Sequence, residues 1–391
     1  MAGERTLASL KSYRKRYAKA NRKGRTKLLD EFCECTGYHR KYTVSLLGRP
    51  WDEAAPGSTP RRRGVSYGAA VGRPLERIWE ASGYPWSVRL KALLPQWLPW
   101  ARGHITGLTL EVEQALLKIS PRQMDRLLSE RRGRVRKRIY GHTKPGKLLK
   151  NQIQIRTDNW DVSVPGYLEI DLVAHCGPSA SGEFIYSLNV TDIHTGWTET
   201  RAVLGKGEKG VVAALEEIRL GLPFALLAID SDNGSEFINH HLVRWCAKHG
   251  VKFTRSRPYK KNDNAHIEQK NWTHVRRVFG WERYDTAGQC AAINALYRGP
   301  LYHMQNFFQP CVKLVEKTRV GSKVRRRYDA ARTPLERLNG YYGEKNAPLA
   351  VKARILECQR IDPFALSSQI EVSLKSLSRS SFGTEQETHR N

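Results

Sequence analysis

The fold class that the sequence predicts is a mixed α/β domain in the middle of the chain, with helical segments before it and a basic segment after it. Apolar runs rich in β-forming residues occur at 167–173, 184–190 and 197–203. They are close enough together to form consecutive antiparallel strands. Segments of helical periodicity then alternate with two shorter apolar runs. The predicted element order is therefore β-β-β-α-β-α-β-α.

The elements after the third strand are predicted from their own patterns. A helix at 208–219 would place Val211, Val212, Leu215 and Ile218 on one face. The remaining predicted elements are a strand at 226–229, a helix at 242–249, a strand at 251–254 and a helix at 265–279. Residues 258–264, which precede the last helix, are predicted to form a loop.

Composition indicates a polyanionic partner. The 391 residues include 66 Lys and Arg against 38 Asp and Glu, a net charge of +28. Nucleic acid fits this charge better than a membrane does, because no apolar run approaches the ~18 residues of a transmembrane helix. A ribosome-associated or merely soluble basic protein is the alternative. Seven scattered cysteines and the absence of an apolar N-terminal signal stretch predict reduced thiols in a cytoplasmic protein.

Residues 1–49 are predicted to form a helix-turn-helix DNA-binding domain. Two helices are predicted between Lys23 and Leu47, separated by a turn at Thr36-Gly37. This turn would also supply the N-cap of the second helix. The second helix would expose four residues to a major groove, namely His39, Arg40, Lys41 and Thr43. Any basic two-helix hairpin would show the same pattern, so this interpretation has an equal alternative.

Residues 50–72, rich in Pro, Gly, Ser and Arg, are predicted to be a linker, and 73–150 a second helical domain. The tryptophans of 74–100 are interpreted as core residues rather than as base-stacking platforms. A second helix-turn-helix follows, in which Ser120 caps a helix, Pro121 occupies its first turn and Gln123 completes a capping box. That helix would present Arg122, Gln123 and Arg126 outward, and the many cations of 131–150 would form a basic connector along DNA.

Three carboxylates of the central domain point to metal-dependent chemistry. Asp171 lies within the first strand, Asp232 follows the fourth strand, and Glu268 lies one turn into the last helix. From 232 to 268 is 36 positions, so 35 residues lie between them. A charge inside an apolar strand is costly unless it is paired or bound to metal. Carboxylate oxygens suit Mg²⁺, and two such ions can activate an attacking oxygen and stabilise the leaving one.

These motifs resemble those of a known family. The matching features are Asp171 on the first strand, Asp-Asn-Gly-Ser-Glu-Phe at 232–237, the helix start Asn-Asp-Asn-Ala-His-Ile-Glu at 262–268, and the spacing of 35 residues. Thr191-Asp192 to Gly196-Trp197 also resembles the turn after the second strand. Residues 160–285 thus resemble the ribonuclease H-like catalytic core of DDE transposases and retroviral integrases. More loosely, the whole chain is similar to bacterial insertion-sequence transposases with N-terminal helix-turn-helix domains.

The resemblance implies a transposase that acts in the bacterial cytoplasm on nucleoid DNA. Asp171, Asp232 and Glu268 would bind two Mg²⁺ or Mn²⁺ ions, with Asp171 bridging both. Water would free a 3′ hydroxyl at the element end, and that hydroxyl would attack target DNA without a covalent protein intermediate. The partners implied are double-stranded DNA, as element ends and target, and further copies of the chain in at least a dimer. The chain lacks the His-His-Cys-Cys zinc unit of retroviral integrases at its front.

Several alternatives remain at this point. Asp230 is the rival of Asp232. Glu169 shares a strand face with Asp171 by period-two alternation, and a solvent-facing position is its alternative to a site role. Lys270, Arg276 and Arg277 would contact DNA phosphate or form a solvated helix face.

Other functions are also open. A catalytically inactive DNA-binding regulator and a simple metal-dependent nuclease are the rival functions. A tyrosine recombinase, suggested by His274 to Arg277 with Tyr297 or Tyr302, is disfavoured by the strand pattern.

The sequence beyond the catalytic domain is less informative. Residues 286–345 are predicted to be a small basic C-terminal module, without a fold assignment. From Leu366 to the end, the Ser-rich composition predicts a disordered tail at 366–391.

Overall fold

The computed structural model describes residues 2–48, 67–135, 162–231, 237, 240–255, 265–320 and 323–387. The chain divides into two units, Met1–Ser66 and Tyr67–Asn391. The structure describes the predicted linker at 50–72 only from Tyr67, and the first helix of the second unit begins within that segment at Ala69. Most of the predicted basic connector, from residue 136 on, lies outside the described residues.

The described part of the first unit contains three helices, the second and third of which are joined by a short turn. Its helices are α1 (Ala2–Lys19), α2 (Arg22–Thr36) and α3 (Arg40–Leu47). Leu29, Phe32 and Leu47 form its buried core. Gly37 ends α2 with a φ of 69°, a left-handed conformation that favours glycine.

Two details of the first unit differ from prediction. The side chain of His39, not the Thr36-Gly37 pair, caps α3. Thr43 is buried against the Cys33 thiol rather than exposed, because α3 turns Thr43 and Leu47 inward together.

The second unit begins with five helices. They are α4 (Ala69–Ala81), α5 (Ser87–His104), α6 (Leu110–Lys118), α7 (Pro121–Leu127) and α8 (Ser129–Val135). Trp79 and Trp97 are core residues, as predicted, whereas Trp86 is exposed. Ser120 caps α7 as predicted, but Gln123 accepts a hydrogen bond from Arg126 instead of returning to the cap.

The central domain has the predicted element order. Its elements are β1 (Tyr167–Ala174), β2 (Ile185–Asp192), β3 (Thr198–Leu204), α9 (Glu208–Gly221), β4 (Ala228–Ser231), α10 (His240–Lys248), β5 (Lys252–Arg255) and α11 (Ala265–Lys270). The last helix continues through a π-helical turn, Asn271–Arg276, into α12 (Arg277–Phe279). The sheet order is β3-β2-β1-β4-β5. The first three strands are antiparallel, and β1, β4 and β5 are parallel.

The two faces of this sheet differ in polarity. One face is apolar, with Leu168, Ile170, Leu188, Val190 and Ile229 packed in the same core as α9 and α10. The other face is lined by polar side chains that are nevertheless buried, including Glu169, Asn189, Thr191, Thr200, Asp230 and Thr254. The registers place these residues in rows across neighbouring strands. Buried polar groups need hydrogen-bond partners, so this face is constrained more narrowly than an apolar one.

The edge of the sheet at β3 is closed by two asparagine side chains. Asn306 accepts from the Thr198 N–H at 2.9 Å and donates to the Thr198 carbonyl at 2.8 Å. Asn294 makes the same pair of bonds with Ala202, both at 2.8 Å. Because these bonds occupy backbone groups that a further strand would use, β3 is protected from edge-to-edge pairing.

The C-terminal part is more ordered than predicted. It comprises α13 (Ala287–Arg298), α14 (Pro300–His303) with a π-helical turn (Met304–Phe308), the hairpin β6 (Leu314–Val320) and β7 (Lys323–Tyr328), and α15 (Pro334–Asn346), α16 (Leu349–Arg360) and α17 (Pro363–Glu387). The predicted disordered tail is therefore wrong for 366–387. Although α17 is rich in serine, it carries apolar residues at helical spacing, and two of them, Leu366 and Leu377, are buried.

None of the helices among the described ranges is long and apolar enough to cross a membrane.

Candidate active site

Asp171 lies on the polar face of the sheet, near the middle of β1. Its carboxylate accepts two hydrogen bonds, from the Leu172 N–H at 2.8 Å and from the Asn271 side-chain amide at 2.5 Å. Its Cα partner on β2 is Asn189. The Asp171 side chain is only partly buried. Its hydrogen bonds fix its orientation, while solvent can still reach its carboxylate.

Asn271 links Asp171 to the rest of the polar face. Its amide nitrogen donates to Asp171, and its oxygen accepts from the Asn189 amide at 2.8 Å. The Asn189 oxygen in turn accepts from the Thr200 hydroxyl at 3.3 Å. This chain of bonds joins β3, β2, the π-helical turn and β1. A hydrogen-bonded partner of this kind orients a ligating carboxylate.

A second contact joins β1 to the helix of Glu268. The Ile267 N–H donates to the Glu169 carboxylate at 2.9 Å. The first N–H groups of a helix have no intrahelical acceptor, and an acid is favoured beside them. Glu169 is buried, so the solvent-facing interpretation of this residue is wrong. The two contacts, Glu169 with Ile267 and Asp171 with Asn271, hold β1 and the helix together on both sides of Glu268.

Glu268 itself is exposed, on the first turn of α11. It precedes Asn271 by three positions, and residues at this spacing are neighbours on a helix surface. Glu268 thus lies about one helical turn, roughly 5 Å along the axis, from Asn271, the residue whose side chain contacts Asp171.

The second acid of the predicted triad, Asp232, lies outside the described residues. β4 ends at Ser231, whose Cα partner on β1 is Ile170, the residue before Asp171. The rival Asp230 is fully buried within the sheet, where the Thr254 hydroxyl donates to it at 2.6 Å. Its Cα partner is Glu169.

The predicted DNA-contacting cations of the last helix occupy three different environments. Lys270 is buried, with its ammonium 3.1 Å from the His274 imidazole, and burial lowers the pKa of Lys270 to about 8. Burial also lowers the pKa of His274 well below its usual value, helped by the charge of Lys270. Arg276 lies over the Trp281 ring at 4.1 Å. Arg277 is exposed and donates to the Tyr84 carbonyl at 3.1 Å.

The residues of α3 and α7 that were predicted to contact DNA lie mostly on the surface. Lys41 and Arg40 are exposed, and Arg40 forms an ion pair with Asp30. Arg122 and Arg126 are exposed on α7, and Gln123 is partly buried.

Comparison with known proteins identifies the central domain. The integrase core domain family matches residues 162–261, which include Asp171 and end before Glu268. Across 324 residues the chain is 41% identical to the uncharacterized protein y4rM of Sinorhizobium fredii (strain NBRC 101917 / NGR234), covering 82% of this chain and 91% of that protein. The chain belongs to the family of y4rM and carries an integrase core.

Two solved structures are also similar to this chain. The catalytic core domain of BIV integrase is 15% identical, with a TM-score of 0.29, and the similarity covers 44% of this chain and 91% of that one. The HTLV-2 integrase catalytic core domain, solved in complex with magnesium in a dimeric form, is 12% identical with a TM-score of 0.28, over 38% and 92% of the two chains.

The integrase core confirms the predicted ribonuclease H-like class, a mixed five-stranded sheet with helices. The integrase core family implies polynucleotidyl transferase activity in general, and this is the broad activity that the domain match supports. The residue that the sequence did not reveal is Asn271. The sequence does place Asn271 three residues after Glu268, and this spacing puts both side chains on one helix face. That spacing is the signal by which Asn271 could have been recognised as a candidate site residue.

Proposed function

We propose that this protein is the transposase of an insertion sequence, which cuts the element ends and joins them to target DNA with Asp171, Asp232 and Glu268. The observation that carries the proposal is the hydrogen bond between Asn271 and Asp171 within an integrase core. It brings the carboxylate of β1 to the helix that bears Glu268, although 100 positions separate the bonded residues.

The donor groups fit a divalent metal ion. Asp171 and Glu268 offer carboxylate oxygens on a partly open polar surface, and hard oxygen ligands of this type suit Mg²⁺ and Mn²⁺. Asp232 would supply a third carboxylate from the segment that follows β4. Mg²⁺ or Mn²⁺, bound as one or two ions, would supply charge stabilisation at the phosphate and a more acidic water.

The protein side chains would orient the reacting groups rather than attack. Water would first hydrolyse the phosphodiester at the element end, leaving a 3′ hydroxyl. That hydroxyl would then displace a 3′ oxygen at the target, so that one phosphodiester bond forms as another breaks. Asn271 and Glu169 would keep Asp171 and Glu268 at a constant separation through both steps, which requires little rearrangement between them.

Two further partners are part of the proposal. The helix-turn-helix units would bind double-stranded DNA at the element ends, using Lys41 with Arg40 in the first and Arg122, Gln123 and Arg126 in the second. At least two copies of the chain would act together, since two DNA ends must be joined in concert. The charge of +28 supports binding to DNA as a polyanion.

Replacing Arg126 by alanine tests the second helix-turn-helix. Because Arg126 is exposed on α7, the variant is expected to fold normally. It should bind DNA carrying the element end with an affinity about 5- to 100-fold lower, the loss typical of one base-reading arginine. Fluorescence anisotropy across a salt series measures this. Lys375→Ala, which removes a charge from exposed α17, is the control. Equal affinities for both variants at every salt concentration would place α7 outside the DNA interface.

The function itself is tested by strand transfer with the purified chain. Labelled DNA with the element's terminal inverted repeats, found in the sequence flanking the gene, is incubated with plasmid and Mg²⁺ or Mn²⁺. Labelled ends should become covalently joined to the plasmid. Cleavage without joining would indicate a nuclease instead. Tight binding without any nicking would indicate a regulator.

A further inference from the structure

The loop between α4 and α5 is held rigidly by its backbone. The Tyr84 N–H donates to the Trp79 carbonyl at 2.8 Å, and the Trp79 indole donates to the Pro85 carbonyl at 3.1 Å. Tyr84 itself has a φ of 58°, which is unusual for a bulky residue. A strained conformation of this kind persists only where the surroundings enforce it, and such positions cluster at functional sites.

This rigid loop presents aromatic rings to solvent. Trp86 is 76% exposed and Tyr84 is 38% exposed, and the neighbouring Val88 is also exposed. By contrast, Trp79 and Trp97 of the same helical region are buried. A large apolar ring on a rigid exposed loop offers contact area at little cost in conformational entropy, as at recognition surfaces.

The loop is fastened to the helix that carries Glu268. Arg277 donates to the Tyr84 carbonyl at 3.1 Å, and Gln309 donates to the Ser82 carbonyl at 3.4 Å. Arg277 follows Glu268 by nine positions in the continuous helical segment from Ala265 to Phe279. At about 1.5 Å per residue, this surface is roughly 13 Å from Glu268 along the helix.

The charges around the loop suit an anion. Although much of the Arg277 surface is exposed, partial burial lowers the pKa of Arg277, and the charge of Arg89, one turn after Trp86 on α5, lowers it further. With Arg277 bonded to the Tyr84 carbonyl, the two arginines place positive charge beside the exposed rings.

We infer that the loop Ser82–Trp86 with Arg89 and Arg277 binds an unpaired nucleotide of a DNA strand near the reacting end. Trp86, beside Tyr84, would stack on the base, and the two arginines would contact the backbone phosphates. The nucleotide must be unpaired, because the face of a base is covered by its neighbours within a duplex. This inference rests on the proposed function for the identity of the strand.

The test measures binding in EDTA, so that it does not depend on strand transfer. Two DNA probes are used, a blunt duplex and the same duplex with a short single-stranded extension. Trp86→Ala should bind the extended probe about 5- to 100-fold more weakly, the loss typical of one base–aromatic stack. It should bind the blunt duplex as the parent does. Trp86→Phe should recover most of the loss, because a phenyl ring still stacks.

The control is Leu349→Ala, which removes another exposed side chain, 85% exposed on α16. It should bind both probes as the parent does, and all three variants should keep the parent's melting temperature. A 2-aminopurine base in the single-stranded extension should be quenched less by Trp86→Ala than by the parent, because the indole ring that stacks on it is missing. Equal affinity of Trp86→Ala and the parent for the extended probe would overturn the inference. An equal loss on both probes would also overturn it, by indicating a duplex contact.

Discussion

Glu268→Gln is expected to reduce strand transfer by on the order of 10³-fold, because a neutral amide replaces a charge worth several kcal/mol to a metal-assisted transition state. Glu268 is exposed, so the variant should fold as the parent does. DNA binding in EDTA should be at least as tight, since the change removes a negative charge. Gel assays of joined product, measured in the first turnover, give the rate.

The matched control for this experiment is Gln269→Ala, the next exposed residue on the same helix. It alters the surface of α11 without touching a carboxylate, so it should retain strand transfer near the parent's rate. Asp171→Asn should behave as Glu268→Gln does. Strand transfer at an undiminished rate in either carboxylate variant would refute the active-site assignment.

Asn271→Ala is expected to raise the Mg²⁺ concentration for half-maximal strand transfer by about 10- to 100-fold, the effect typical of losing a residue that orients a ligating group. The variant removes the bond to Asp171 and leaves the Asn189 amide without its acceptor on the helix. An independent readout is the rise in melting temperature on adding Mg²⁺, which should require correspondingly more metal ion. An unchanged Mg²⁺ dependence in both measurements would mean that Asn271 serves only the fold.

A second substitution separates orientation from charge. Asn271→Asp keeps the shape of the side chain but places a carboxylate against the Asp171 carboxylate. Repulsion between them should destabilise the protein without metal and be relieved when Mg²⁺ is added. The difference in melting temperature between the two conditions should therefore be larger in Asn271→Asp than in the parent.

The order of helices and strands along the central domain could be predicted because hydrophobic periodicity is a local signal. The predicted helix at 265–279 corresponds to α11 through α12, and the predicted strands differ from the observed ones by one or two residues. Asp171 and Glu268 could be placed on their elements for the same reason. The contact between Asn189 and Asn271 could not, because it joins residues 82 positions apart.

The polar sheet face explains why the solvent-facing alternative for Glu169 is wrong. Alternation of polar and apolar residues along a strand normally indicates one face in water. Here the polar face is covered by a helix, and hydrogen bonds replace water. The alternation of side chains along a strand correctly assigns each residue to one of the two sheet faces. It does not show whether water or another part of the protein covers that face.

The remaining differences concern burial rather than secondary structure. Trp86 and Thr43 lie on the expected helical regions but face the opposite way from the prediction. In α17, composition was a poor guide, because a few apolar residues at helical spacing outweigh many serines. Which side of a helix is buried depends on distant packing partners, which a local pattern does not contain.

The packing of the C-terminal helices against α5 has a consequence for synthesis of the chain. Gln96 donates to the Cys358 thiol at 3.3 Å across 262 positions, and the Trp97 and Phe364 rings pack edge to face with centroids 5.1 Å apart. At translation rates of about 5–20 residues per second, roughly 15 to 50 s separate the synthesis of these partners. The packing of α5 against α16 and α17 therefore forms only after Cys358 and Phe364 have been synthesised, well after α5 itself.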